Sequence, residues 1–403
     1  MRVLVADRLP EASLVEIRSL GVEVDYQPDL TADGLREALA GVGVLVVRGT
    51  EVSAEAIEAN PSLSLIVRAG AGTGRIDVAT ANARGVYVAN TPGKNACAVA
   101  ELTFTLMGAL DRRVLDATLS LREGRWEKGD YARAVGLAGR RLGVVGLGHV
   151  GRRVAELGHA YGMSVRAWSR SLTRAKAQQL EVGYAASIRE LAAESDVLSL
   201  HLSLNERTRN IVGAAELAAL PHGSILINTA QSELVDVEAL LAEMAKRELR
   251  VGLDVLPGEP TARTGEYQHA LLSHPLCYAT PHIGASTDQA QRGLADECVR
   301  VLRAFLVEGQ VPNVVNVSVT SAARYQLVVR HLDKVGVLAN TLSVLKRHGL
   351  NVEELDNAVF DGARAGCARI RLSSRPADAC LQEIRAFSPD VLHVAVLTLP
   401  NLA

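Results

Sequence analysis

The sequence predicts an α/β protein built as two doubly wound parallel-sheet domains followed by a smaller βαββαβ domain. Three observations predict it. Short β-branched runs alternate with amphipathic stretches up to about Asn90, a second alternating block opens at Arg141, and the pattern restarts at Tyr325 after a stretch of small residues containing Pro and Asn. Strands and helices alternating at this spacing indicate crossover units and parallel sheets. At 403 residues the chain also has the length of two or three domains.

In order, Val3–Ala6, Val22–Tyr26, Val44–Val47, Leu65–Val67 and Val86–Ala89 read as buried strands. Glu11–Leu20, Ala32–Ala40 and Ala54–Ala59 read as the helices between them. From Asn95 to about Glu123 the spacing predicts one long helix, a connector with Ala98, Leu102, Thr105 and Leu106 on a common stripe. The second block runs through strands at Arg141–Val145, Val165–Trp168, Val197–Leu200, Ser224–Ile227, Val251–Val255 and Cys277–Thr280, then a helix over Thr287–Val307. Gln310–Ala323 reads as a strand and a linker. The tail gives strand Tyr325–Arg330, helix Val335–His348, strand Val352–Phe360, turn Asp361–Gly366, strand Ala368–Leu372, helix Ala377–Ala386 and strand Val391–Leu399.

Composition narrows the function. Apolar residues make up 48% and charged residues 22%, a globular balance, and the formal net charge is −2. That balance gives no electrostatic case for nucleic acid or an anionic membrane, and no apolar run is long enough to span a bilayer. The opening Met1–Asp7 reads as a strand rather than a secretory signal. Five scattered cysteines without a Cys-x-x-Cys pair suit a reducing cytoplasm and offer no metal site.

Gly146-Leu147-Gly148-His149-Val150-Gly151 is a G-x-G-x-x-G that follows an apolar strand and opens a helix predicted over Arg152–Tyr161. Gly146 permits the tight turn, Gly148 lets backbone N–H groups approach a pyrophosphate, and Gly151 allows close helix packing. This makes the second domain a Rossmann-like dinucleotide site. At the end of its second strand stands Trp168-Ser169-Arg170-Ser171, with no acid for a ribose 2′-hydroxyl. Ser169 and Arg170 suit a 2′-phosphate instead, so the cofactor is NAD or NADP, with NADP suggested.

Five separated segments resemble one family: Arg68-Ala69-Gly70-Ala71-Gly72, Asn90-Thr91-Pro92-Gly93, Gly146–Gly151, Leu253-Asp254-Val255 with Glu259-Pro260, and Thr280–Ser286. Their order and spacing are similar to those of the D-2-hydroxyacid dehydrogenases, most closely the phosphoglycerate dehydrogenase branch, over residues 1 to about 318. The resemblance implies a discontinuous substrate domain (1–94 and 285–318) around a dinucleotide domain (95–284). It implies that His282 is the acid/base with Glu259 as its partner, that Asp254 faces the nicotinamide, and that Arg68-Ala69-Gly70 receives a carboxylate. A carboxylate on the second ring nitrogen would fix the tautomer of such a histidine and raise its pKa. The family's catalytic arginine falls at Gln231, which carries no charge and cannot form a bidentate fork. The chain is then a weak or inactive relative, acts on a substrate that needs no arginine there, or is a deliberate variant. Arg48, Arg75 and Lys94, on loops beside the presumed cleft, are candidates for a phosphate on the substrate.

The tail carries His331-Leu332-Asp333-Lys334-Val335-Gly336-Val337-Leu338 at its first strand–helix junction and looks like an ACT regulatory domain over 324–403. That resemblance implies an amino-acid effector, serine, at His331, Asp333 and Asn351, and pairing of subunits into a homodimer or homotetramer. Val335 stands where the motif usually has proline. Three readings follow: oxidation of 3-phosphoglycerate at the entry to serine synthesis, NADPH-dependent reduction of glyoxylate or hydroxypyruvate, and a silent sensor of cofactor and amino acid.

Overall fold

A computed structural model describes residues 1–260, 264–318 and 322–400. The chain divides into two compact units, Met1–Asn316 and Val317–Ala403. The first unit holds two parallel sheets. One comprises β1 (Arg2–Val5), β2 (Glu23–Tyr26), β3 (Val44–Val47), β4 (Leu65–Arg68) and β5 (Tyr87–Asn90), in the order β2-β1-β3-β4-β5. The other comprises β6 (Arg141–Val145), β7 (Ser164–Trp168), β8 (Gly183–Tyr184), β9 (Val197–Leu200), β10 (Ile225–Asn228), β11 (Arg250–Leu253) and β12 (Cys277–Ala279), in the order β12-β11-β10-β9-β6-β7-β8.

Most strands of the two sheets read as apolar runs because helices cover both faces, as at β3 and β9, where every residue is buried, whereas the edge strand β2 carries Glu23 and Asp25. On one face of the first sheet, Leu14 and Ile17 of helix Glu11–Ser19 pack with Cys298, Val299, Val301 and Leu302 of helix Asp288–Arg303. The chain thus returns to the first sheet after completing the second. In each sheet the strand order reverses once, between β1 and β3 and between β6 and β9, and an open α/β sheet binds ligands in the crevice at the carboxyl end of such a switch.

Several expectations need correction. The predicted connector is two helices, Ala96–Arg112 and Val114–Arg122, because Arg113 takes a left-handed conformation at φ 51° and turns the chain. No glycine marks the break, so periodicity passes through it. Thr105 faces solvent, and its neighbour Thr103 is the buried threonine. The helix after the glycine loop starts at His149, so half the motif lies inside it. Helix Asp288–Arg303 ends in a π turn over Ala304–Glu308. The strand expected in Gln310–Ala323 is a single bridge from Val314 to Ala89, and 319–321 lie outside the described residues.

The second unit comprises β13 (Tyr325–Leu332), β14 (Val352–Val359), β15 (Ala365–Leu372) and β16 (Val391–Thr398), an antiparallel sheet in the order β14-β15-β13-β16. Helices Val337–Arg347 and Asp378–Phe387 complete the βαββαβ pattern over a core that includes Leu327, Val329, Leu345 and Ile370. The turn between β14 and β15 is tighter than expected, since β15 already begins at Ala365. Among the described residues no helix is long and apolar enough to cross a membrane.

Candidate active site

The glycine loop sits at the switch point of the second sheet. Gly146 has φ +99°, and a Cβ there would lie 2.6 Å from the His201 carbonyl oxygen at the end of β9. A Cβ on Gly151 would lie 1.8 Å from the Gly146 carbonyl oxygen, so a side chain at either position would displace backbone. Around Gly148 nothing lies within 4 Å of where a Cβ would be, which leaves its backbone open to a ligand. Helix His149–Ala160 has Gly148 as N-cap with no side-chain cap, so its first N–H groups keep their capacity for an anion. His149 turns toward the Pro92-Gly93 bend, where a Cβ on Gly93 would meet its ring at 2.9 Å. Val150 lies half-buried in the first turn of the same helix. These residues fit a dinucleotide pyrophosphate. Beside them, at the end of β7, Ser169 is half-buried and Arg170 exposed, with no carboxylate in Trp168–Ser171.

The histidine stands on a loop shaped by one carboxylate. Asp254, only 2% exposed, accepts from the Thr280 hydroxyl at 2.6 Å and from the Ile283 and Gly284 N–H groups at 2.8 Å each. Gly284 has no room for a Cβ, which would lie 2.7 Å from Asp254 Oδ2. This clamp holds His282 in the left-handed region at φ 53°, a conformation histidine tolerates better than branched residues. Burial raises the Asp254 pKa, although all three donors act against the rise. Both of its oxygens are thus engaged by the loop, an organising task that spacing did not reveal.

His282 Nδ1 meets Glu259 Oε1 at 2.6 Å. The hydrogen bond to Glu259 raises the His282 pKa above its ordinary value, with burial opposing and the charges of Glu259 and Asp254 assisting. Burial pushes Glu259 upward, but its bond and attraction to His282 outweigh this, and its carboxyl ends below the usual range. Nε2 is left for a substrate.

Gln231 follows β10. Asn228 donates through Nδ2 to the Gln231 carbonyl oxygen at 2.7 Å and accepts from the Ala230 N–H at 3.0 Å, while Thr103 and Thr229 hydroxyls meet at 3.0 Å beneath. The backbone of this loop is firmly set, yet the Gln231 carboxamide makes no hydrogen bond among the described residues.

The first sheet presents cations at its strand ends. One oxygen of Asp7, at the end of β1, accepts the N–H groups of Arg48, Gly49 and Thr50 at 2.7, 2.9 and 3.0 Å. This clamp escaped the sequence reading; its one signal is an aspartate directly after a buried strand. Arg68 folds back over Gly70, where a Cβ would lie 1.7 Å from its guanidinium, so that glycine is fixed by a side chain as well as by the turn. Ala69 is buried behind them. Burial, then repulsion from Arg48 and Arg75, lowers the Arg68 pKa. Arg75 donates to the Gly49 carbonyl at 3.1 Å. Lys94 is instead turned to Glu297 at 3.3 Å.

Comparison with known proteins decides the family. Residues 104–284 match the D-isomer specific 2-hydroxyacid dehydrogenase, NAD binding domain. A hydroxypyruvate reductase of Thermotoga maritima is 40% identical over 74% of this chain and 96% of its own length. The chain belongs to the D-isomer specific 2-hydroxyacid dehydrogenase family. A D-3-phosphoglycerate dehydrogenase of Methanocaldococcus jannaschii is 33% identical over 83% of this chain, and the match spans 64% of that relative's length. A solved NADPH-dependent glyoxylate/hydroxypyruvate reductase from Sinorhizobium meliloti, in complex with NADP and malonate, superposes with a TM-score of 0.68 at 27% identity. It covers 78% of this chain and 96% of its own. The glycine loop of this family member is therefore part of an NAD-binding domain.

In the second unit His331 is 1% exposed, with Nδ1 at 2.7 Å from the Leu332 carbonyl and Nε2 at 3.1 Å from Asn357 Oδ1. An effector would have to displace those partners to reach it. Asp333 and Asn351 are exposed, the latter donating to Glu353 at 3.1 Å.

Proposed function

We propose that the protein interconverts a D-2-hydroxy acid and its 2-oxo acid by hydride transfer with a nicotinamide dinucleotide. The observation that carries this reading is the 2.6 Å pair between Glu259 and His282, the latter on the loop clamped by Asp254, at strand ends of the same sheet as the glycine cradle. The dinucleotide, when bound, supplies or accepts the hydride at the substrate C2. In reduction, His282 as imidazolium gives its Nε2 proton to the carbonyl oxygen as the C=O π bond becomes O–H; in oxidation it takes that proton back. Glu259 holds the ring and stabilises its charge.

For the substrate we propose 3-phosphoglycerate and 3-phosphohydroxypyruvate, with residues 1–94 and 285–318 as the substrate side and 95–284 as the dinucleotide side. Arg48 and Arg68 offer the second anionic end a place, as guanidiniums at the ends of β3 and β4. A second reading, NADPH-dependent reduction of hydroxypyruvate or glyoxylate, draws on the exposed Arg170 where an NAD site usually has an acid. Rates with phosphohydroxypyruvate, hydroxypyruvate and glyoxylate against NADH and NADPH decide between them. Cofactor binding without turnover of any of the three would refute both.

We further propose that copies of the chain pair through helix Val114–Arg122, where Val114, Leu115, Leu119 and Leu121 are exposed beside Trp126, itself 80% exposed. Trp126→Glu would then lower the mass measured by light scattering. All five cysteines stand as free thiols, which supports a cytoplasmic setting. Serine as effector at the ACT-like unit rests on the exposed Asp333 and Asn351, and calorimetric titration of the full chain with serine tests it.

A further inference from the structure

Reduction of a 2-oxo acid needs a cation at the reacting end. The substrate carboxylate must be neutralised and the carbonyl oxygen polarised while it receives its proton. At the end of β10, in the same sheet as the strands that precede Glu259 and His282, the side chain available is the neutral carboxamide of Gln231, unbonded among the described residues.

The nearby cations differ in how far they are already committed. Lys94 is held by Glu297, which also binds Arg300 and Asn313. Arg68 lies folded on Gly70, and Arg48 stands on the loop gathered by Asp7. Arg75 is different. It is half-buried on the loop after β4, and its position is fixed by the pairing of Val52 with Ile76 and by the Val52 N–H donated to the Arg75 carbonyl. One guanidinium nitrogen is tied to the Gly49 carbonyl, and the group makes no ion pair with a carboxylate among the described residues. Held there, it lies near enough for its charge to bear on Glu259, His282 and Arg68 alike. Glu259, the carboxylate it would otherwise take, is occupied by His282 and the Leu256 N–H. A guanidinium anchored by one edge beside an occupied carboxylate presents its remaining donors to an outside anion.

Taking the dehydrogenase reading as given, we propose that Arg75 holds the carboxylate and carbonyl oxygen of the 2-oxo acid before His282, supplying from the first sheet the cation that Gln231 does not supply from the second. The substrate is thereby clamped by one sheet and protonated from the other. Gln231 is then compatible with full turnover.

The test uses the full chain as wild type, Arg75→Ala, Arg75→Lys, Gln231→Arg and the double variant Arg75→Ala/Gln231→Arg. Reduction of hydroxypyruvate is followed by steady-state kinetics. Binding of oxalate, an unreactive dicarboxylate, is followed by quenching of bound NADPH fluorescence. Arg75→Ala is expected to lower kcat/KM at least 100-fold and weaken oxalate at least 30-fold, with the NADPH Kd within twofold of wild type as the check on folding. Arg75→Lys restores only part of either loss, because a point charge cannot replace the fork. Gln231→Arg alone changes kcat/KM less than threefold, whereas the double variant recovers at least tenfold over Arg75→Ala. The alkaline limb of reduction moves to higher pH in Arg75→Ala, since His282, facing Glu259, Asp254 and Arg75, loses the one cation that opposes its protonation. Oxalate affinity and kcat/KM within threefold of wild type in Arg75→Ala would overturn the proposal, as would a double variant no better than the single one. Absence of turnover in the wild type would defeat the dehydrogenase reading alone, and the oxalate titration would still decide the role of Arg75.

Discussion

The two parallel sheets of Met1–Asn316 use the same device to opposite ends. Each places an aspartate at the end of a strand and spends it on a neighbouring loop: Asp7 on the N–H groups of Arg48, Gly49 and Thr50, and Asp254 on the Thr280 hydroxyl and the N–H groups of Ile283 and Gly284. The first clamp steadies a loop that carries a guanidinium, the second a loop that carries an imidazole whose carboxylate partner comes from the segment after β11. The scaffold is common to both, and the chemistry is set by a few side chains at the strand ends.

The sharpest way to break the contrast is at the imidazole. His282→Ala should lower kcat by about 10²–10⁴ while leaving the dinucleotide Kd unchanged, since it removes the proton donor and nothing in the glycine cradle. Gly151→Ala should do the reverse. Its methyl would strike the Gly146 carbonyl, and NAD(P)H affinity should fall roughly 100-fold or more by fluorescence titration, about 2.7 kcal/mol.

Glu259→Gln should cost about 10²-fold in kcat/KM and move the alkaline limb of the reduction profile to lower pH. The sign follows from the pair: Glu259 raises the His282 pKa, so the imidazolium survives to higher pH in the wild type than in the variant. Comparing the clamps themselves, Asp254→Ala strands donors around a 2% exposed site at about 1–3 kcal/mol for each group left unsatisfied. Asp7→Ala should cost less, because water reaches the Gly49 N–H. Thermal melts of the two variants would check the order. The smallest effect concerns cofactor choice. Arg170→Asp should shift the NADPH/NADH ratio of kcat/KM toward NADH by about 10–100-fold, the worth of one charge-assisted hydrogen bond.

The elements that were legible in the sequence are those whose pattern is local. Every predicted strand of both parallel sheets is present within a residue or two, and burial on both faces leaves most of them a continuous apolar run. The glycine loop was legible for the same reason: its requirements are met within six residues. What escaped was set by contacts across the chain or by single backbone angles. The break at Arg113 is one left-handed residue without a glycine to announce it. The expected strand after Gly309 is one bridge, and Lys94, placed by its loop among the substrate candidates, is turned to a glutamate 203 positions later. His331 looked available from its motif and is buried against Asn357, a neighbour brought there by antiparallel pairing.

By itself the sequence determined most of the strands and helices and the dinucleotide cradle, since these depend on residue type and short spacing. Tertiary structure alone decided which charges meet. Only folding turns Asp254 toward the loop of His282 and brings Arg75 to bear on a dyad more than 180 residues away, because electrostatic influence depends on separation in space and the chain's order does not record it.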